Sequence, residues 1–376
     1  MSKQLVIITA VFIGLVGSGT AVALDGSGIE QGPWRIESLS DFDEFVADDN
    51  YWDDYTRLET DVNLVGRVYP NAVIAPMGTP FTGVFDGNYH KIMNLTINGG
   101  ANDYIGLFGN LGIGGEVRNL GIEDGSISGD ELIGGLVGLN VAGGSVSNCY
   151  SKGSVSGRNL IGGLVGFNQL GSLSNSCSAG SVNGDLTIGG LLGANSGSVS
   201  YCHSTADVIG DTIGSRNFGG LVGKNLALVS NCYSTGNVSC DVDVGGLLGD
   251  NEGGNVSNCY SIGSVSGDTS VGGLVGCNEL GNLSNCFWDT DTQTHGVTKS
   301  IGRNTGGTII NVSGLPTSQL HRQSTFTDWD FINVWNIGEN QTYPHLRIYL
   351  AADINKDGIV NFLDLSITAN QWMEEQ

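Results

Sequence analysis

An eight-residue string of glycine and apolar residues recurs through the middle of this chain and constrains its fold more than any other feature. It first reads IGGLVGLN, and successive copies start 28, 27, 30, 26 and 27 residues apart. A unit this short cannot bury its own apolar face, so the copies must stack on one another. The copies begin at Ile133, Ile161, Ile188, Phe218, Val244 and Val271.

A second cassette lies between the copies and has the form SVSNCYSxGSVSG, complete from Ser145. Its segments are short runs of alternating apolar and polar residues, separated by Gly, Ser and Asn turns. Such runs are typical of strands and lack the 3.6-residue period of helices. We therefore expect an all-β fold, a β-solenoid of about 27-residue repeats.

Asparagine and glycine occupy fixed slots of the repeat and allow two further predictions. Stacked amides satisfy one another's hydrogen bonds, so the Asn that ends each copy should form a ladder across the coils. The repeated Gly pairs suit either corners with positive φ or places where adjacent coils approach closely. The ladder asparagines are Asn140, Asn168, Asn195, Asn225, Asn251 and Asn278.

The charge balance excludes some classes of partner. The formal net charge is −23, from 38 acidic and 15 basic residues. A nucleic-acid binder needs a basic stripe, and this sequence has none, so we expect no nucleic-acid partner. An acidic surface favours solubility and the binding of divalent cations. We expect a monomer.

The N-terminus has the features of a secretion signal. Lys3 supplies a positive charge, Leu5 to Val16 is apolar, and Ala21 to Ala23 forms an A-x-A cleavage site. The alternative is an uncleaved membrane anchor, although no later segment is apolar enough to span a bilayer. We expect a secreted, extracellular protein, with attachment to the cell surface as an alternative.

Both ends of an open solenoid need caps. Before the repeats, the run Ser40 to Asp43 fits a capping box and predicts a short helix through about Asp49. Asp86-Gly87 predicts a hairpin-type turn between strands. After the repeats, aromatic residues predict a buried cap, with a carbohydrate-binding platform as the alternative. These are Phe287, Trp288, Phe326, Trp329, Phe331, Trp335 and Tyr343.

Eight cysteines in a secreted chain suggest disulfides. Five share one slot of the second cassette, about one coil apart, which permits bridging but equally suits small buried thiols. Cys177 lies one position further on, and Cys240 and Cys277 lie off the column, where they could be exposed. The five are Cys149, Cys202, Cys232, Cys259 and Cys286.

The two repeated cassettes resemble the GLUG motif family over about Tyr55 to Cys286. The resemblance implies a parallel β-helix of a surface or secreted bacterial protein. Some members are attached to immunoglobulin-cleaving metallopeptidases. This sequence contains no H-E-x-x-H motif, so the peptidase chemistry does not carry over.

A calcium loop is the strongest chemical motif. DINKDGIVNFLD begins at Asp353 and places oxygen ligands at the spacing of an EF-hand, with Gly358 at the sharp turn. Ile359 would use its backbone carbonyl and Asn361 a bridging water. The predicted Ca²⁺ ligands are Asp353, Asn355, Asp357, Ile359, Asn361 and Asp364.

The run from Ala352 to Trp372 resembles a type I dockerin, with a helix after the loop. Dockerins bind cohesin domains of scaffolding or cell-surface proteins, which implies such a partner here. Dockerins usually have two loops and this chain has one, which favours a simpler calcium-stapled tail as the alternative. We divide the chain into a signal peptide (1–23), an N-terminal cap with first strands (24–104), a repeat solenoid (105–286), an aromatic cap (287–350) and a small α-helical EF-hand-like module (351–376).

Three functions remain open at this point. The first is a non-catalytic scaffold or adhesin-like surface, tethered through the tail, and we expect no enzymatic activity. The second is a polysaccharide-degrading solenoid whose carboxylates Asp207, Asp241, Asp243 and Asp250 approach one another across coils. The third is a carbohydrate-binding protein that uses the late aromatic residues.

Calcium should bind the mature protein one-to-one, because the loop supplies the six or more oxygens that this ion requires. We expect the variant Asp353→Ala/Asp357→Ala to lose the binding. Calorimetric titration with Ca²⁺ checks this, with Mg²⁺ as the control cation. Equal heats for both proteins would contradict a calcium loop.

Overall fold

The chain forms a parallel β-solenoid, as predicted from the repeat. The structure is a computed structural model that describes residues 23–210 and 213–347. Its strands pair in parallel from coil to coil in three ladders, and helices are few and short. The predicted EF-hand-like module lies outside the described residues, as does the signal peptide up to residue 22.

The largest sheet holds both halves of the second cassette and has 23 strands. The strands of the first half are Trp34–Ile36, Tyr55–Leu58, Val84–Asp86, Glu116–Arg118, Ser145–Ser147, Ser172–Ser174, Ser198–Ser200, Leu228–Ser230, Asn255–Ser257, Asn282–Asp289 and Ile309–Leu315. Those of the second half are Val62–Asn63, Lys91–Met93, Thr96–Asn98, Gly121–Ser128, Tyr150–Ser156, Cys177–Gly184, His203–Ser204, Asp207–Gly210, Tyr233–Ser234, Val238–Ser239, Tyr260–Ser261 and Val265–Ser266.

The glycine-rich string supplies two further sheets, which we name the isoleucine sheet and the asparagine sheet. The isoleucine sheet has six strands: Glu131–Gly134, Asn159–Gly162, Leu186–Gly189, Arg216–Gly219, Val242–Gly245 and Thr269–Gly272. The asparagine sheet has eight: Phe108–Leu111, Val137–Asn140, Val165–Asn168, Leu192–Asn195, Val222–Asn225, Leu248–Glu252, Val275–Glu279 and Ile301–Asn304.

The remaining elements lie near the two ends of the described chain. Helices span Leu39–Ala47 and Thr317–Leu320, and 3-10 turns span Asp49–Tyr51 and Gln323–Thr325. The strands Trp335–Asn336 and His345–Leu346 pair with each other in antiparallel fashion. No helix of the described chain is long and apolar enough to cross a membrane.

Each coil lies in register over the next, so equivalent residues of the repeat form columns. Ile133 pairs with Ile161, and Ile161 pairs with Ile188. The apolar slots are fully buried; Leu136, Leu164 and Leu191, for example, have no exposed surface. One continuous core therefore runs along the solenoid.

The predicted amide ladder is present inside the solenoid. The side-chain nitrogen of Asn140 donates to the side-chain oxygen of Asn168 at 2.8 Å, and five more such bonds, of 2.8 or 2.9 Å, continue the series to Asn304. The ladder begins at Asn140 because Leu111 fills the slot in the preceding coil. Its first oxygen therefore lacks a partner among the described residues. The ladder aligns successive coils.

Close approach of backbones, rather than positive φ, explains the glycine pairs. A Cβ on Gly162 would lie 2.7 Å from the carbonyl oxygen of Leu191 in the next coil. The third glycine of the string is equally confined, since a Cβ on Gly166 would lie 2.7 Å from the backbone nitrogen of Ile133. Real Cβ atoms do not approach so closely, so a side chain there would push the coils apart.

Positive φ occurs instead at corner residues that carry side chains. The first set consists of the residues two positions before each glycine pair. Leu160 has a φ of 58° and Asp243 a φ of 56°, and Leu132 is the equivalent residue of an earlier coil. The other set is the Asn before the cysteine slot, such as Asn148 and Asn231, both at 52°. Asparagine tolerates this conformation better than most residues, which accounts for its frequency at that corner.

The N-terminal helix begins earlier than its predicted capping box. Ser38, not Ser40, is the N-cap, and its hydroxyl oxygen accepts from the Asp41 backbone nitrogen at 3.2 Å. The Asp41 carboxylate in turn accepts from the Glu37 backbone nitrogen at 3.0 Å. The helix ends at Ala47 rather than near Asp49, and Phe45 packs its ring against Phe81 and Phe85 at this end of the core.

The predicted hairpin turn at Asp86-Gly87 was wrong. Strand Val84–Asp86 pairs with Tyr55–Leu58 and Glu116–Arg118, the strands before and after it in the stack, and all are parallel. Residues 86 and 87 form a corner of one coil. A turn dipeptide predicts a change of direction but not which strand then becomes the partner.

The cysteine column lies inside the core, and none of the eight cysteines is bonded to another in this structure. Cys177 is partly exposed, as its offset position indicated. The expectation that Cys240 and Cys277 could be exposed was wrong, because they are only 7% and 0% exposed. Cys240 belongs to the hydrophobic core, and Cys277 lies between Asp250 and Arg303 in register on the asparagine sheet.

Breaking the amide ladder in its middle should destabilise the solenoid. Asn195→Ala leaves the amide nitrogen of Asn168 and the amide oxygen of Asn225 buried without their partner, and each such loss costs about 1–3 kcal/mol. Asn304→Ala is the matched control, because it removes only the exposed end of the ladder. We expect a lower urea midpoint for Asn195→Ala and little change for Asn304→Ala. Equal midpoints would contradict a structural role for the ladder.

Candidate functional site

All six predicted calcium ligands lie outside the described residues. They are Asp353, Asn355, Asp357, Ile359, Asn361 and Asp364, and their binding of Ca²⁺ stays a prediction. Across residues 23–210 and 213–347, no three His, Cys, Asp or Glu side chains are grouped so that they could hold a metal ion. Two surface features of the described solenoid are therefore the candidates for a site.

The first is a column of mainly aromatic side chains on the outer side of the large sheet, one from each of six successive coils. The flat rings stack along the axis: His203 lies 4.7 Å from Tyr233 between ring centroids, and Tyr233 lies 5.1 Å from Tyr260. Both pairs are within 7° of parallel. The aromatic column consists of Tyr150, Cys177, His203, Tyr233, Tyr260 and Phe287.

The segment 317–347 covers the C-terminal half of the aromatic column. Trp335 donates through its ring nitrogen to Asn231 at 3.4 Å, and Trp329 donates to the carbonyl of Asn285 at 3.2 Å. Because these partners belong to different coils, the segment lies along the side of the solenoid. Trp335 is fully buried and Trp329 is 7% exposed, so neither ring has an open face on which a sugar could stack.

Burial gives His203 an unusual acidity. The imidazole stacks on Tyr233, and loss of hydration lowers its pKa from 6.5 to about 4. Burial also raises the pKa of Tyr233 to about 12 and that of Cys177 to about 11. The middle of the aromatic column is consequently uncharged at neutral pH.

The second feature is a group of charged side chains on the outer side of the asparagine sheet. Its centre is a column of residues that all occupy the seventh position of the repeat string: Lys224, Asp250, Cys277 and Arg303. Asp243, Glu252 and Glu279 flank this column. We name these seven residues the charged cluster.

Ion pairs hold the charged cluster together. The Lys224 ammonium lies 2.6 Å from the Glu252 carboxylate and 3.6 Å from Asp250. Arg303 lies 2.9 Å from Glu279. Asp250 is only 7% exposed, and one of its carboxylate oxygens has no hydrogen-bond partner within the described chain.

Burial dominates the electrostatics of Asp250. It raises the pKa of this carboxyl even though Lys224 opposes the shift, because the charges of Glu279 and Asp243 add to the effect of burial. Burial and the charge of Asp250 also raise the pKa of the Cys277 thiol to about 12. Cys277 is therefore a neutral thiol at neutral pH and a poor nucleophile.

Only part of the predicted carboxylate group comes together. Asp243 and Asp250 interact within the charged cluster. Asp207 instead accepts hydrogen bonds from the backbone and side chain of Asn237, and Asp241 accepts from the backbone nitrogen of Gly214. Lys224, Cys277 and Arg303 were not predicted as site residues. Their shared position in the repeat was the signal that could have identified them.

Comparison with known proteins agrees with the repeat and with the fold. The family model described as "The GLUG motif" matches residues 129–156 and 214–239. A crystal structure of a "putative immunoglobulin A1 protease" from Bacteroides ovatus superposes with a TM-score of 0.56 over 86% of this chain and 94% of that one. The sequence identity is 19%, so the likeness concerns the fold alone.

Two curated proteins are similar to part of the chain. Halomucin of Haloquadratum walsbyi is 32% identical over 132 residues, which are 32% of this chain and 1% of halomucin. A "Putative Gly-rich membrane protein" of Evansella cellulosilytica is 29% identical over 143 residues, 36% of this chain and 16% of that protein. The matched segments thus span only a small part of both relatives.

The buried His203 should make the solenoid sensitive to acid. The imidazole of His203 takes up a proton near pH 6.5 in the unfolded chain and only near pH 4 in the folded chain. The folded state therefore keeps its full stability above pH 6.5 and loses stability as the pH falls towards 4. The loss amounts to about 3 kcal/mol of unfolding free energy. Urea unfolding across pH 8 to 4 measures it. His203→Phe keeps a stacked ring without a titrating group, and parallel profiles for the two proteins would contradict the burial of a neutral imidazole.

Proposed function

We propose that this protein is a secreted or cell-surface β-solenoid that acts without catalysis as a structural or adhesin-like scaffold. A calcium-binding tail would tether it to a cohesin-like or other cell-surface protein. The solenoid would then present its repeated outer faces at a distance from the attachment point. Such a role depends on the shape of the solenoid and on the side chains of its outer surface.

The observation that carries the proposal is the unbroken amide ladder from Asn140 to Asn304. Side-chain bonds between the neighbouring coils from Asn140 to Asn304 resist bending and slipping, because each displacement would leave amides unpaired. A stiff rod suits a spacer. The serine and asparagine side chains on its outside repeat at the coil spacing of about 4.8 Å, as a surface for multiple weak contacts requires.

The comparisons support a surface location. One similar protein is named a membrane protein, and the GLUG motif occurs in this chain as it does in the matched family. The N-terminal signal sequence and the net charge of −23 support secretion and solubility. The calcium tether rests on the spacing of oxygen ligands from Asp353 to Asp364.

A polysaccharide-binding or polysaccharide-degrading role is the second candidate, and the charged cluster favours it. Glycosidases use two carboxyl groups, one of which is kept protonated by a raised pKa. Burial raises the pKa of Asp250, and the charge of Asp243 adds to this shift. The half-buried side chains of Tyr150 and His203, in the part of the aromatic column that the segment 317–347 leaves uncovered, would add apolar contact to a sugar.

The labelled mature protein should bind to cell-envelope fragments of the organism that makes it, in the presence of calcium. We expect chelation of calcium, or the variant Asp353→Ala/Asp357→Ala, to remove most of the bound protein, because the tail would lose its folded loop. Glu30→Ala/Asp53→Ala is the control of equal charge, since it removes two exposed carboxylates from the solenoid. A sedimentation assay measures the bound fraction.

The same preparation distinguishes the alternatives. Binding that survives chelation would assign it to the solenoid surface instead of the tail. Release of reducing ends from a polysaccharide, lost in Asp250→Asn, would establish the degrading role. An absence of binding to envelopes and to glycans would contradict the scaffold proposal.

A further inference from the structure

The buried cysteine column holds an uninterrupted run of four thiols. Cys202, Cys232, Cys259 and Cys286 occupy the same slot of four successive coils, and each is completely buried. The run is isolated on one side by Ser176, which fills the slot between Cys149 and Cys202. Cysteine suits a buried position, but four adjacent thiols also place four identical reactive groups next to one another.

The side chains of the run point the same way. Each thiol donates a hydrogen bond to the carbonyl two residues before it, at 3.2 Å for Cys202 and Cys286 and 3.1 Å for Cys232 and Cys259. The backbone nitrogen of Cys202 also donates to the sulfur of Cys232 at 3.4 Å. Each thiol of the run interacts with the thiol of the neighbouring coil: Cys202 with Cys232, Cys232 with Cys259, and Cys259 with Cys286.

The coil spacing suits a covalent bond. Strands in a parallel ladder lie about 4.8 Å apart, and the Cα atoms of disulfide-bonded cysteines lie about 4.4–6.8 Å apart. A change of side-chain rotamer, at the expense of the weak bond from each thiol to its carbonyl, would bring two sulfurs to bonding distance. The coil spacing already lies within the range of Cα separations that disulfides adopt.

We propose that the column is a site of oxidative modification, at which Cys202 bonds to Cys232 and Cys259 bonds to Cys286. In each pair two S–H bonds break and one S–S bond forms. The two electrons and two protons pass to a disulfide oxidant, such as oxidised glutathione or a protein disulfide, which is reduced to two thiols. Each bond joins two adjacent coils of the solenoid.

The pairing follows from the order of the thiols. A single bond between Cys232 and Cys259 would leave Cys202 and Cys286 without a neighbour, whereas the two outer pairs use all four sulfurs. Thiol–disulfide exchange within the run moves an early central bond to the outer pairs while oxidant remains. Cys149 has only Ser176 beside it on that side and keeps its thiol.

Oxidation has to accompany folding. In the completed solenoid the thiols are out of reach of solvent, so an oxidant cannot approach them. During stacking of the coils the sulfurs are still accessible. The bonds, once enclosed, would resist reduction for the same reason.

The full-length chain, secreted into an oxidising compartment, tests the proposal by thiol counting. The protein is denatured and treated with a maleimide, with or without prior reduction, and its mass is measured. We expect four of the eight cysteines to react without reduction and all eight after it. Peptide mapping should find the cross-links 202–232 and 259–286.

Two variants make the test specific. Ser176→Cys extends the run to six thiols. The Ser176 hydroxyl already donates to the Ser174 carbonyl in the way that the thiols donate to theirs, so a thiol at this position should point the same way. We therefore expect a third disulfide, between position 176 and Cys149. Cys149→Ser should leave both original bonds intact. Full reaction of all eight wild-type thiols without reduction, a lone 232–259 bond, or a bond to Cys177, Cys240 or Cys277 would overturn the proposal.

Discussion

Contact between the backbones of adjacent coils is the constraint on which the rest of this structure depends. At the three glycines of each repeat string, the next strand lies where a Cβ would otherwise be, as the 2.7 Å approach at Gly166 illustrates. That closeness permits only one register. A slip by one residue would move apolar side chains out of the core and place side chains where only glycine fits. Every coil must therefore repeat its neighbour.

The strict register turns a linear repeat into a set of columns with different properties. The inner columns are uniform, since a single unlike residue would leave a cavity or an unpaired amide; Asn195 and Val199 illustrate the two kinds of slot. The outer columns vary from coil to coil. The aromatic column and the charged cluster both arise in such variable slots.

The two surface features differ in what they can do. The aromatic column is half covered by the segment 317–347, which seals Tyr260 and Phe287 against solvent. The charged cluster is open at its rim, and its two cations, Lys224 and Arg303, each pair with a carboxylate, although four carboxyl groups surround them. Asp243 and Asp250 each have one buried carboxylate oxygen without a hydrogen-bond partner among the described residues.

The repeat by itself determined the strand type, the parallel stacking and the amide ladder, because each is a property of residues one period apart, such as Asn168 and Asn195. It did not predict the N-cap at Ser38, the parallel partners of Val84–Asp86 or the burial of Cys277, since local patterns do not specify which element lies over a residue. The tertiary structure alone decided the lateral position of the aromatic segment, where Trp335 reaches Asn231, 104 residues earlier. It also assembled Lys224, Asp250 and Arg303 into one cluster. Contacts at such separations depend on how coils stack in space, and no single period contains them.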